Sequence, residues 1–195
     1  MKLFLRKQLR AGRRSLSATE HSFRSRVAER AVTGLPMFRA GKRIALYLPF
    51  DGETDTTALI AAARRRGVQV FVPVIVDRRH SRIRFYPLAG KTRRGLFGIA
   101  VPQHIGRPLS SRWFDLIVIP LVGVDAEGRR LGMGGGFYDR ALDFRRRRRH
   151  WAGPHVVGLA FDNQRTTSSF AESWDVCLDS LATESGLQHF SKGPP

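Results

Sequence analysis

The run Asp115-Leu-Ile-Val-Ile-Pro120 constrains the fold more than any other stretch of the chain. It is almost continuously apolar and rich in β-branched residues, so it reads as a strand whose two faces both need cover. Parallel sheets meet that need with helices packed on each side. The neighbouring segments supply both the strands and the helices. Arg43-Ile-Ala-Leu-Tyr-Leu48 is a second short buried run, ended by Pro49. Asp55 then stands where it can cap a helix with Leu59, Ala62 and Ala63 on its inner face and Gly67 as its stop, before a strand from Gln69 to Val74. Strand, helix and strand in that order form a βαβ unit.

Upstream, Leu5 and Leu9 lie one helical turn apart, and Ser17-x-x-Glu20 is a capping box ahead of Phe23, Val27 and Ala31. Two N-terminal helices are therefore expected. Ile83 to Leu88 alternates weakly and suits an antiparallel or edge strand, a helical stretch runs from Phe137 to Arg149, and Val156 to Ala160 is another strand. The tail 186–195 is expected to fray. The expectation is one α/β domain over residues 1–195: three layers, a mostly parallel central sheet with helices on both faces, Rossmann-like.

Composition excludes several classes. With one cysteine, Cys177, the chain has no internal disulfide and no thiol cluster for zinc, which suits a reducing compartment such as the cytoplasm. No apolar run approaches the roughly 18 residues that span a bilayer. Residues 1–19 are arginine-rich and acid-free, as transit peptides are, but their motif content assigns them to the mature chain. Lysine and arginine number 34 against 16 acids, a net charge of +18. Such a field favours anionic partners and equally suits a genome biased toward arginine. The basic tract Arg145 to Arg149 has no interleaved aromatics, so any nucleic-acid binding through it is expected to be non-specific.

The densest chemical signal is Arg130-Leu-Gly-Met-Gly-Gly-Gly-Phe-Tyr-Asp139, with glycines at 132, 134, 135 and 136 just before a helix start. Glycine permits positive φ and close approach, so successive backbone N–H groups can converge on a phosphate that the helix N-terminus also favours. No Gly-Lys-Ser/Thr follows, so this is not a P-loop, and no strand abuts it as a dinucleotide fingerprint requires. A tight turn would use the same glycines. Arg130, Tyr138 and Asp139 beside them favour the phosphate cradle.

Here the sequence resembles the 5-formyltetrahydrofolate cyclo-ligase family, whose hallmark is Arg-Leu-Gly-x-Gly-x-Gly-Tyr-Tyr-Asp after a hydrophobic strand and an Asp-x-x-Gly turn, here Asp125 to Gly128. The likeness extends from Lys2 through Tyr47 to Asp55, Val72-Pro73, Phe97 to Ile99 and Gly158 to Gln164, as far as Asp175, Asp179 and Thr183-Glu184. It implies an ATP- and magnesium-dependent conversion of 5-formyltetrahydrofolate to 5,10-methenyltetrahydrofolate, with ADP and phosphate released, by a protein expected to act as a monomer. The resemblance assigns ATP to Lys2, Arg6, Arg130, Gly132, Met133, Gly134, Gly135, Gly136, Phe137 and Tyr138, with Arg130 and Tyr138 nearest the chemistry. It assigns the folate to Leu48, Glu53, Met133, Gly134, Gly135, Gly136 and Phe137, and magnesium to Asp139 and Asp175.

Each of these residues also has a plainer reading. Lys2 and Arg6 alone would be a solvated basic helix, Glu53 and Asp139 acids near helix starts, and Asp175 a turn residue. The chain departs from the family at Val101, where bacterial members carry glutamate, at Phe137 in place of the first tyrosine, and at Trp174 where histidine is common. These departures leave open a nucleotide-binding paralogue without folate chemistry, and the charge leaves open a basic nucleic-acid-binding protein. The implied reaction needs no protein nucleophile, which fits a chain with no Ser-His-Asp or Cys-His set.

Overall fold

The computed structural model describes residues 1–103, 106–147, 153–167, 170, 172 and 175–191. Its core is a seven-stranded sheet built from β1 (Arg43–Ala45), β2 (Gln69–Asp77), β3 (Arg82–Pro87), β6 (Leu116–Pro120), β9 (His155–Leu159), β10 (Ser180–Thr183) and β11 (Gly186–His189). Two small hairpins lie outside it, β4 (Thr92–Arg94) with β5 (Ala100–Pro102), and β7 (Gly123–Val124) with β8 (Arg130–Leu131). The sheet order is β11-β10-β9-β6-β1-β2-β3; the five inner strands run parallel, and β3 and β11 close the two edges antiparallel.

Strand β6 behaves as its composition demands. Leu116 and Val118 enter one core cluster while Ile117 and Ile119 enter the other, and none of the four is more than 1% exposed. The first cluster is covered by α2 (Ala18–Thr33) and α3 (Thr57–Arg65) through Ala28, Val32, Leu59 and Ala63. The second is covered by two short helices, α4 (Phe137–Ala141) and α5 (Phe144–Arg147), through Leu142 and Phe144, together with Phe114, Val176 and Leu178 from loops. Each fully buried Leu or Ile contributes roughly 1.5–3 kcal/mol, so these faces supply the driving force for the layering. Helix α1 (Lys2–Arg14) packs separately, with Leu5 and Leu9 against Val122, Leu131 and Phe170.

Three expectations are corrected. The helix foreseen from Phe137 to Arg149 is divided into α4 and α5, and of the tract Arg145 to Arg149 the last two residues lie outside those described. The tail is not frayed at its start, because Gly186–His189 pairs with Ser180–Thr183 across a two-residue turn. Asp55 does not occupy the N-cap of α3, which is Thr56, although its carboxylate accepts the Thr57 N–H at 2.9 Å.

The order of the parallel strands places the site. From β1 the chain moves outward to β2 on one side, and later returns to β6 on the other. Connections that leave two adjacent strands in opposite directions open a crevice at their carboxyl ends, where α/β sheets bind ligands.

Candidate active site

At the carboxyl ends of β1 and β6 lies a cavity of about 870 Å³ whose floor carries Tyr47, Leu48, Glu53, Pro120 and Leu121. Its sides are mostly apolar: Val74, Ile75 and Ile83 from the β2–β3 hairpin, and Leu96, Phe97, Ile99 and Val101 from the β4–β5 hairpin. Val101 packs into that wall as a hydrocarbon and offers it no polar contact. A second cavity of about 670 Å³ is lined by Lys2, Arg6, Ser81, Asp139, Arg140, Asp143 and Asp175. Gly132, Gly134, Gly135, Gly136 and Asp139 border both.

The shared wall explains the glycine cluster. Gly134 has φ +103° and Gly136 φ +65°, a region that L side chains rarely adopt, and a Cβ on Gly132 would lie 2.6 Å from the Arg130 guanidinium. Arg130 is 5% exposed and held from three sides: its Nη2 donates to both Asp139 oxygens at 3.0 and 3.1 Å, its Nη1 to the Pro120 carbonyl at 3.4 Å, and its plane lies 5.7 Å from the Tyr138 ring centre. Its buried Nε has no partner within the protein. A buried cation with an unmatched donor beside a cavity is suited to an anionic ligand oxygen.

Helix α1 delivers two more cations. Arg6 Nε donates to the Gly132 carbonyl at 2.8 Å, fixing the helix against the glycine wall, and Lys2 Nζ donates to Asp175 at 3.2 Å. Asp175 also accepts the Glu172 N–H, while Asp139 accepts the Val176 N–H at 3.2 Å, so the two carboxylates face the same polar cavity from adjoining segments. Among the described residues no group of three or more His, Cys, Asp or Glu side chains could hold a metal by itself.

Electrostatics differ on the other side of the wall. Burial pushes the Glu53 carboxyl up to about 7, opposed by the nearby charge of Arg13, by the Phe50 N–H at 3.1 Å and by Arg130. Burial likewise drives the Tyr138 hydroxyl well above its ordinary range, with Glu53 adding to the rise and Arg130 opposing it. Burial thus weakens the solvation of the Glu53 carboxylate, which would gain from any ligand that donates to it.

The fold brings together the residues assigned to ligands from the sequence: Leu48, Glu53, Arg130, Met133, Phe137 and Tyr138 line the apolar cavity, Lys2, Arg6 and Asp175 the polar one, and Asp139 and the four glycines lie along the wall. Trp174 lies outside the described residues. Reasoning from sequence missed Arg13 and Asp51, which grip the turn that carries Glu53, and the cavity residues Arg93, Arg94, Arg140 and Asp143. Cys177 is exposed and lines neither cavity.

A doubly wound sheet with an apolar and a polar cavity meeting at a glycine wall defines a two-cavity α/β protein with its site at the carboxyl ends of the strands. The 5-formyltetrahydrofolate cyclo-ligase family model matches residues 1–184. The 5-formyltetrahydrofolate cyclo-ligase of Haemophilus influenzae is 35% identical over 182 residues, covering 89% of this chain and 94% of that one, and that of Escherichia coli K12 is 32% identical, covering 91% and 97%. The solved structure of Aquifex aeolicus 5,10-methenyltetrahydrofolate synthetase superposes with a TM-score of 0.82 at 30% identity, covering 100% of this chain and 95% of that one. The chain belongs to the 5-formyltetrahydrofolate cyclo-ligase family.

Proposed function

We propose that this protein uses ATP to close 5-formyltetrahydrofolate into 5,10-methenyltetrahydrofolate, with the folate in the apolar cavity and the nucleotide in the polar one. The observation that carries this reading is the glycine wall common to both cavities, since the transferred phosphoryl group must pass from one ligand to the other without crossing water. Glu53 at the cavity floor accepts hydrogen bonds from the aminopyrimidinone edge of the pterin, and Leu48, Met133 and Phe137 cover its ring system. Lys2, Arg6 and the N–H groups of residues 132–136 bind the triphosphate.

The formyl oxygen attacks the γ-phosphorus, ADP departs, and N10 then attacks the activated carbon; N10 gives up its proton to solvent, phosphate leaves with the formyl oxygen, and the methenyl bridge remains. Arg130, which lines the folate cavity and is bonded to Asp139 of the shared wall, stabilises charge on the transferring group, and the Tyr138 ring holds the guanidinium plane in place. The hydroxyl of Tyr138 stays protonated throughout neutral pH and can only donate or accept a hydrogen bond. Asp139 and Asp175 offer the hard carboxylate oxygens that magnesium prefers, and they would hold it against the phosphates, where it neutralises developing charge. No side chain serves as nucleophile, so the protein's contribution is positioning and electrostatics.

We place the protein in the cytoplasm as a monomer. No helix among the described residues is long and apolar enough to cross a membrane. Calorimetric titration with 5-formyltetrahydrofolate and with a non-hydrolysable ATP analogue tests the assignment of ligands. Each should bind with one-to-one stoichiometry and neither should exclude the other. Competition between the two for a single site would contradict the reading.

A further inference from the structure

The N-terminal helix reaches beyond the polar cavity, and its second contact has no role in the reading above. Leu5, Leu9 and Arg13 are spaced four apart and form its buried stripe. Arg13 is only 1% exposed, an unusual place for a cation, and it bridges two elements: Nη1 donates to the Leu121 carbonyl just after β6 at 3.3 Å, and Nη2 to the Asp51 carbonyl at 2.7 Å and the Asp51 carboxylate at 3.1 Å. Arg10 and Arg14 pair with the same carboxylate. Asp51 has φ +57° and Gly52 φ +73°, and the Glu53 N–H donates to the Phe50 carbonyl at 3.1 Å, so residues 50–53 form a tight turn whose shape Asp-Gly favours and whose place on the fold the arginines fix. A buried ion pair is a poor source of stability, because desolvation offsets most of its attraction. Its value here must be sought in what it holds.

We infer that Arg13 and Asp51 are positioning residues for Glu53, their buried pair clamping turn 50–53 to the end of β6 so that the Glu53 carboxylate faces the pterin edge. This rests on the folate reading given above. The charge of Arg13 is also the first of the influences that oppose burial at Glu53. The other charged or titratable groups facing Glu53 are Arg130 of β8, Tyr138 of α4, Tyr47 beyond β1, and His21 of α2, whose Nε2 lies 3.0 Å from the Glu53 carbonyl oxygen. Losing Arg13 removes the largest charge that opposes burial at the carboxylate, so a larger share of Glu53 is protonated at neutral pH and cannot accept both pterin hydrogen bonds.

The test measures binding of 5-formyltetrahydrofolate and of ATP between about pH 6 and 8.5 for the parent, Arg13→Lys, Arg13→Met and Asp51→Asn, with thermal unfolding as the check on folding. Arg13→Met should weaken folate binding roughly tenfold at pH 7 and move the pH of half-maximal affinity upward, with ATP affinity within about twofold of the parent. Arg13→Lys keeps the charge and loses the forked grip, so its pH midpoint should stay parental while its affinity falls. Asp51→Asn tolerates the same φ and should weaken folate binding with no upward move of the midpoint. Should Arg13→Met not fold, the other two variants decide. Folded variants with the parental folate affinity and pH profile would overturn the inference. A parent that binds no 5-formyltetrahydrofolate at all would instead overturn the reading on which it rests.

Discussion

The two cavities share one wall and are built by opposite rules. The apolar one is lined by hydrocarbon and rings from the sheet and two hairpins, with Glu53 at its floor. The polar one is lined by ions of both signs, Lys2, Arg6 and Arg140 with Asp139, Asp143 and Asp175, of which Lys2 pairs with Asp175 across the cavity while Asp139 is held from behind by Arg130. In the first, burial pushes a titratable group up to about 7. The difference teaches that one cavity selects its ligand by shape and a few poised hydrogen bonds, whereas the other selects by charge, so a substitution confined to one side should weaken one ligand and spare the other.

The sharpest break is Glu53→Gln. It preserves volume, removes the charge and replaces an acceptor with a donor. A charged hydrogen bond lost in this way costs about 1.5–3 kcal/mol, so 5-formyltetrahydrofolate affinity should fall roughly ten- to hundredfold while ATP affinity stays near parental. Titration of both ligands against the variant checks it. Equal losses for both would mean that the cavities are not separate sites.

Gly134→Val probes the wall from the other side. Gly134 has φ +103°, and a Cβ there would lie 3.5 Å from the Arg6 guanidinium, so a branched side chain strains the backbone and crowds the phosphate-facing cation. A strain of about 1–2 kcal/mol corresponds to roughly tenfold weaker ATP binding in a folded variant. Unchanged nucleotide affinity would reduce the glycine wall to a turn.

The smallest effect separates site from scaffold. Glu29 is only 4% exposed, and its carboxylate accepts the Leu59 N–H at 3.0 Å near the start of α3, outside the lining of both cavities. Burial raises it too, to about 7 from an ordinary 4.5. The folded state then binds more protons than the unfolded chain between those values, so stability falls as pH rises through that window. Glu29→Gln should remove part of that decline, a change in Tm on the order of 2–4 °C at pH 8 relative to pH 5, and leave both ligand affinities alone. A variant with the parental pH dependence would show that Glu29 titrates outside this window.

How much of this was legible in the sequence depended on whether a residue's signal is local. The run from Leu116 to Ile119 announces a two-faced buried strand because every residue in it is apolar. The glycines from 132 to 136 announce a wall because four of them in five residues free the backbone to turn sharply and to lie close against a ligand. Strands β10 and β11 left little trace. Ser180 to Thr183 has two hydroxyl side chains and only four residues, and its place in the sheet depends on the edge presented by β9. Arg13 was invisible for another reason. One arginine among 34 cations carries no mark of burial, and its partner Asp51 lies 38 residues away. The residues assigned to ligands were legible through family resemblance; those that hold them in place needed the fold.

The central claim, that the two cavities cooperate in one ATP-driven ring closure, is tested most directly by the appearance of methenyltetrahydrofolate absorbance from 5-formyltetrahydrofolate. The account predicts product only when ATP and magnesium are both present, with one ADP formed per methenyl group and no turnover in excess chelator. Product formation that continues without ATP, or ATP consumption with no methenyl product, would contradict it.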